Sequence, residues 1–255
     1  MKKLLQKKYK HIFFSAHIDD VIFSCSGYIS KLKKKEILIV TVFSDYNEKI
    51  YSRHAKLYLK SFNFNNAKEY FNLRKKEEKR VAKILNFDFK WLDFPEAIFR
   101  FKKKFAFYSF YYPKTSKLFG SVNKKDMEIL PIIENEIKRI LKIYSDNKSK
   151  LYFPLGIGNH VDHQILNRIG QSFSNKKIFF FEDFPYCAQV KNHKNNLKSK
   201  KIYLSDIDLK MKLKAITKYK SQIKQLFRNV KNLKKIFLSY YKKGYERYWY
   251  DSKGR

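Results

Sequence analysis

Two short clusters in this chain bring together the residue types that metal chemistry uses. The first is Ser15-Ala16-His17-Ile18-Asp19-Asp20, one imidazole and two adjacent carboxylates. The second, far downstream, is His160-Val161-Asp162-His163. A catalytic zinc takes three protein ligands and keeps a fourth position open. His17, Asp20 and His163 supply two imidazoles and a carboxylate, a set that suits Zn2+ and also Fe2+ or another divalent ion. Asp19 is then left beside the metal, where a free carboxylate serves as general base toward a water. His160, about one helical turn before His163, is placed to donate to a developing oxyanion. Asp162 is placed to accept an N–H from one of the histidines and fix its tautomer. The chemistry implied is metal-assisted hydrolysis of an amide or ester. Short motifs match by chance when taken singly, so the elements around them carry the argument.

Both clusters follow an apolar strand and open a helix. His11 to Ser15 reads as a first strand and Val21 to Lys33 as a helix with apolar residues at helical spacing, ended by Lys33-Lys34-Lys35. Asp19 and Asp20 fall where carboxylates cap free N–H groups. Glu36 to Phe43 is apolar on both faces, as a central parallel strand is. Ser44 to Asn66 is polar and ambiguous. A helix from about Tyr70 to Asn86 precedes a third strand, Phe87 to Leu92. The aromatic stretch Ile98 to Asn123 suits a loop or lid, and Asp126 to Ile143 is helical. Leu151 to Leu155 is a fourth strand, Val161 to Phe173 a helix, and Lys177 to Phe181 a fifth strand. Lys191 to Lys201 reads as a basic loop, Asp206 to Phe227 as one helix, and the rest as helical up to Trp249. This is the alternation of an α/β fold: a Rossmann-like, mostly parallel sheet with helices on both faces. No repeat or linker divides it, so residues 1–255 read as a single domain. In such a sheet both clusters reach the carboxyl edge, where sites form.

The formal charge of +34 excludes little, because the lysines are dispersed along the chain and many of the 24 Phe and 19 Tyr fall in apolar runs. A nucleic-acid surface concentrates its charge and interleaves aromatics for stacking, so no specific nucleic-acid partner is expected. Cys25 and Cys187 form no CxxC pair, the basic N-terminus is followed by no signal-type apolar region, and no apolar run approaches a bilayer span. A cytoplasmic protein with reduced thiols is the expectation.

The two clusters resemble the signatures of the PIG-L/LmbE family of zinc-dependent N-acetylglucosaminyl deacetylases. The family's Ala-His-Pro-Asp-Asp-Glu appears here as Ala16-His17-Ile18-Asp19-Asp20-Val21, and its His-x-Asp-His as His160 to His163. The resemblance implies an LmbE-like fold, zinc on His17, Asp20 and His163, and Asp19 as base. It continues through the Arg74 to Leu85 helix, through Glu96 and Arg100 after the third strand, and through Tyr112-Pro113-Lys114 to Phe119-Gly120. Further matches are Phe181 to Tyr186, Tyr219 to Ile223, and Glu246 to Trp249. It implies substrate contacts by Glu96, Arg100, Glu182 and Tyr186, with Arg100 and nearby lysines holding a phosphate or diphosphate. Ile18 stands where the family has Pro and Val21 where it has Glu. The function implied is removal of the acetyl group from an N-acetylated amino sugar, free or phosphorylated, nucleotide-linked or lipid-linked. The competing readings are a hydrolase of another amide or ester, and a non-catalytic basic protein that binds a polyanion on the same fold.

Overall fold

The apolar runs form the centre of the sheet. In the computed structural model, which describes residues 7–32, 35–47, 50–105, 107–173, 177–190 and 196–251, the chain begins β1 (His11–Ser15), α1 (Asp20–Lys31), β2 (Ile37–Asp45), α2 (Arg53–Ser61), α3 (Ala67–Leu85) and β3 (Asp88–Pro95). A 3-10 turn, Ala97–Phe99, leads into a hairpin of β4 (Phe101–Lys104) and β5 (Phe107–Phe110). Then come α4 (Thr115–Leu118), a second 3-10 turn (Lys124–Ile129), α5 (Leu130–Tyr144), β6 (Lys150–Pro154), α6 (Val161–Ser172) and β7 (Lys177–Phe181). The final stretch holds β8 (Lys198–Tyr203), α7 (Asp206–Ile216), α8 (Lys220–Phe227), α9 (Val230–Tyr241) and β9 (Tyr245–Tyr250).

Seven strands make one sheet in the order β3-β2-β1-β6-β7-β9-β8. The first five in that order are parallel, and β9 and β8 are added antiparallel. The chain winds outward from β1 through β2 to β3, then returns to lay β6 on the other flank of β1. β1 and β6 are therefore the point at which strand order reverses, and a crevice opens beyond their carboxyl ends. Both motif clusters sit there, one on each side of the reversal. The mostly parallel sheet agrees with the expected fold class. Eight of the nine residues of β2 are buried, as befits a strand covered on both faces.

Four stretches differ from the sequence expectation. Ile98 to Asn123 contains the β4–β5 hairpin, with Phe101 opposite Phe110. Part of the basic loop is the strand β8, whose side chains are nearly all exposed; lysines along an unpaired edge protect it from further strand addition. The helix expected over Asp206 to Phe227 breaks at Thr217-Lys218-Tyr219, because the next turn is drawn onto α3: Glu77 accepts from both Ser221 N (3.0 Å) and Ser221 Oγ (2.6 Å). Helix α9 fills most of the final stretch as expected, but Tyr245–Tyr250 is a strand rather than helix, and β9 lies between β7 and β8. Residues 1–6 of the basic N-terminus, the Lys33-Lys34 pair and residues 191–195 of the basic loop lie outside the described residues. No helix among the described residues is long and apolar enough to cross a membrane.

Candidate active site

Local backbone chemistry frees the first cluster's carboxylates for other work. Asp19 is the N-cap residue of α1, yet its side chain makes no capping bond. Ser15 Oγ takes that role instead, accepting from Val21 N at 3.2 Å. Asp20 Oδ2 accepts from His17 N (2.6 Å) and so folds back toward the imidazole. At the second cluster His160 itself caps α6, its Nδ1 accepting from Asp162 N at 3.3 Å. Gly156 and Gly158, at φ +85° and +91°, turn the chain between β6 and this cap. A Cβ on Gly158 would lie 2.6 Å from Tyr186 Cγ, so this glycine also admits the Tyr186 ring.

Three atoms then converge. His17 Nδ1 is 3.2 Å from Asp20 Oδ2, His163 Nε2 is 3.2 Å from the same oxygen, and the two nitrogens are 3.4 Å apart. Each imidazole is backed by a second carboxylate on its other nitrogen. His17 Nε2 meets Asp162 Oδ2 at 3.0 Å, and His163 Nδ1 meets Asp183 Oδ1 at 2.7 Å. A carboxylate accepts, so in the neutral ring the backed nitrogen carries the proton and the other lone pair faces the convergence point. Asp183 is itself fixed by Gly156 N and Ile157 N, both at 2.8 Å. His160 also belongs to this group: the three histidines can each place a ring nitrogen within 4.8 Å of the others.

The electrostatics favour a cation. Asp19, Asp20, Glu96, Asp126, Asp162 and Asp183 are buried here against only two guanidiniums, those of Arg74 and Arg100. Burial alone would lower the His17 and His163 pKa values. The surrounding carboxylates outweigh it, taking His17 well up and His163 up to about 10. Burial would raise Asp20, but the two imidazoles hold it well below the usual carboxylate range. His160 is pushed down by burial and by His17, so it stays neutral. Burial raises Asp19 against the pull of Arg74, whose Nη2 donates to Asp19 Oδ1 at 2.7 Å and whose Nη1 donates to Glu96. His17, Asp19, Asp20, Arg74, Glu96, His160 and Asp162 floor a cleft of about 280 Å³, walled further out by Tyr58, Tyr70, Phe119, Tyr186, Gln222 and Gln225.

The family profile of GlcNAc-PI de-N-acetylases, PIG-L, matches residues 12–174, a span that includes both clusters. The chain belongs to the PIG-L family. A 2'-N-acetylparomamine deacetylase of Niallia circulans is similar to it, 27% identical over 241 residues that cover 87% of this chain and 84% of that protein. Among solved structures, a deacetylase of teicoplanin biosynthesis superposes with a TM-score of 0.78 at 18% identity, covering 94% of this chain and 96% of that one. The N,N'-diacetylchitobiose deacetylase of Pyrococcus horikoshii does so at 0.55 and 17%, covering 94% and 83%. At such identities these structures speak to the fold, which is the PIG-L fold with its crevice at the β1/β6 reversal.

Seen on that fold, the residues expected to serve the site fall into two groups. His17, Asp19, Asp20, His160, Asp162, Glu96 and Tyr186 all line the cleft, and His163 lies directly behind it. Arg100 does not line it. It donates to Asp126 Oδ2 (3.1 and 2.8 Å) and the Pro95 carbonyl (3.0 Å) and forms an ion pair with Asp162 Oδ1 (2.6 Å), so its fork faces these partners rather than the cleft. Glu182 is also elsewhere: Tyr240 Oη (2.5 Å), Trp249 Nε1 (3.3 Å) and Lys243 Nζ (3.4 Å) all donate to it on the far side of the strand end. Val21 is buried and outside the cleft lining. Two site residues lie in segments that resemble the family but carry no expected role from the sequence: Asp183, within Phe181 to Tyr186 and beside Glu182, and Arg74, which opens the Arg74 to Leu85 helix.

Proposed function

We propose that this PIG-L protein is a metal-dependent N-deacetylase that hydrolyses the acetamide of an N-acetylated amino sugar or its conjugate. The observation that carries the proposal is the triangle of His17 Nδ1, Asp20 Oδ2 and His163 Nε2. Its edges of 3.2, 3.2 and 3.4 Å match the roughly 3.3 Å between neighbouring ligands in a tetrahedron with metal bonds of about 2.0–2.1 Å. The carboxylate–imidazole backing on both histidines supports the same assignment. His160 stands outside that triangle, engaged through Nδ1 with the backbone. A divalent ion held there, zinc or Fe2+, supplies Lewis acidity, acidifying water and polarising the amide carbonyl.

The chain's own residues do the rest. Asp19 takes the proton from the attacking water, and Arg74 fixes its carboxylate in place. With His160 Nδ1 accepting from Asp162 N, the ring's Nε2 carries the proton and donates to the oxygen that becomes negative in the tetrahedral intermediate. Asp19 then passes its proton to the departing amine, so acetate and a free amino sugar leave. Asp162 and Asp183 keep the histidines in the required tautomers. The phenols and amides of the cleft wall suit sugar hydroxyls, and the name of the Niallia relative points to the same substrate class. Cys25 and Cys187 are buried free thiols, which agrees with a cytoplasmic setting. Metal analysis coupled to acetate release tests the proposal, with free, nucleotide-linked and lipid-linked N-acetyl sugars as the panel. About one zinc per chain and acetate from at least one compound is the expected result; bound zinc with no acetate from any compound refutes the deacetylase.

A further inference from the structure

We propose that Arg100 is a positioning residue that couples the wall of the cleft to the metal-facing histidine; this rests on the metal site proposed above. Arg100 is 4% exposed and grips two carboxylates at once. Toward the site, Nη2 pairs with Asp162 Oδ1 at 2.6 Å while Asp162 Oδ2 accepts from His17 Nε2 (3.0 Å) and Ala97 N (3.0 Å). The guanidinium thus sets the carboxylate that sets the His17 ring. Toward the wall, Nε and Nη2 both donate to Asp126 Oδ2, which also accepts from Tyr112 Oη at 2.7 Å. Tyr112 Oη in turn accepts from Asn123 N at 3.1 Å. The segment 112–126 is thereby closed into a loop whose two ends are pinned to one arginine. Thr115, Leu118 and Phe119 of that loop line the cleft, and the Phe119 ring stands edge-on to His160 at 5.2 Å.

The planar fork is what this role requires. A lysine keeps the charge but cannot span Asp126 and Asp162 in fixed geometry. Removing a partner that orients a metal-bound histidine typically costs about 10–100-fold in metal affinity. The two halves of the coupling are separable, because the Tyr112 hydroxyl bonds only the wall half, while its ring, 5.6 Å from the Arg100 guanidinium carbon, is kept in phenylalanine.

The test uses zinc and cobalt(II) as probes on the full chain. Arg100→Lys weakens zinc binding roughly tenfold to hundredfold in competition with a chromophoric chelator, shifts the visible bands of the cobalt-loaded protein, and speeds amide hydrogen exchange over 112–126. Tyr112→Phe speeds exchange in that segment and leaves zinc affinity at the wild-type value. Arg100→Lys with wild-type zinc affinity overturns the inference, as does a Tyr112→Phe variant that loses as much zinc affinity as Arg100→Lys. If Arg100→Lys does not fold, Asp126→Asn is read in its place, with a smaller loss of zinc affinity expected and none overturning the proposal. A wild-type chain that binds no zinc refutes the metal site itself and is distinguishable from either result.

Discussion

Helix α1 carries two buried ionic clusters, and they differ in what they leave unfinished. Around its middle, Glu246 accepts from Gly27 N (2.9 Å), Tyr28 N (3.0 Å), Lys212 Nζ (2.7 Å) and Tyr248 Oη (2.9 Å). Lys212 gives a second bond to Ser24 O at 2.8 Å and sits 4.7 Å from the centre of the Tyr241 ring. Every strong acceptor site of that carboxylate is used, and the cluster is closed. At the N-terminus of the same helix, two imidazole lone pairs and a carboxylate oxygen face one another with no donor between them once both rings are neutral. Burial and charge are common to the two clusters. What separates them is residual, convergent acceptor capacity, which the cluster around Glu246 lacks.

The largest effects are expected at the open cluster. His163→Ala is expected to abolish zinc binding and lower acetate release by about 10³-fold or more, while far-UV circular dichroism is unchanged. Asp19→Asn should keep the zinc and lose roughly 10²–10⁴ in kcat; loss of zinc in that variant would instead make Asp19 a ligand. The closed cluster should respond in the opposite sense. Glu246→Gln leaves Lys212 buried without its counter-charge and is expected to cost about 3–5 kcal/mol in urea denaturation, with zinc stoichiometry intact.

Glu78 lies between these extremes, a buried carboxylate with hydrogen-bond partners but no buried counter-charge bonded to it among the described residues. It is buried beneath Trp91, whose Nε1 donates to it, and burial takes its carboxyl up to about 8. A raised pKa in the folded state means that the folded chain binds the proton more tightly than the unfolded one. The stabilisation is therefore complete below the ordinary carboxylate range and lost as pH rises toward 8. Wild-type stability is expected to fall by roughly 2 kcal/mol between about pH 6 and pH 8 from this group. Glu78→Gln should flatten that slope in denaturation curves taken at the two pH values.

The parallel half of the fold was legible because its strands are apolar runs and each motif sits at a strand end. β8 was hidden because an edge strand reads as polar loop: Lys-Ser-Lys-Lys carries no burial signal. β9 was hidden by its aromatic and charged alternation, Tyr-Glu-Arg-Tyr-Trp-Tyr, which fits either kind of element. The ligand-type residues were legible by type and by position. Their supports were not, because support is a matter of pairing across the chain. Glu182 and Asp183 are adjacent acids, and successive residues leaving a strand point to opposite sides. Only the fold tells which faces His163. Arg74 is one cation among Lys75, Lys76, Lys79 and Arg80. Arg100 looks like a free phosphate clamp until Asp126 and Asp162 are seen to hold its donors.

The placement of β9 bears on how the molecule assembles during synthesis. β8 pairs with β9 alone among the described strands, and β9 also supplies the Glu246 that completes the middle of α1. Until residues 245–250 leave the ribosome, a lysine-rich strand has no partner, β7 has an open edge, and Lys212 lacks its anion. Such long-range pairing makes closure late and slow. Pairing of β9 thus completes the support of the helix that begins at Asp20, through Glu246.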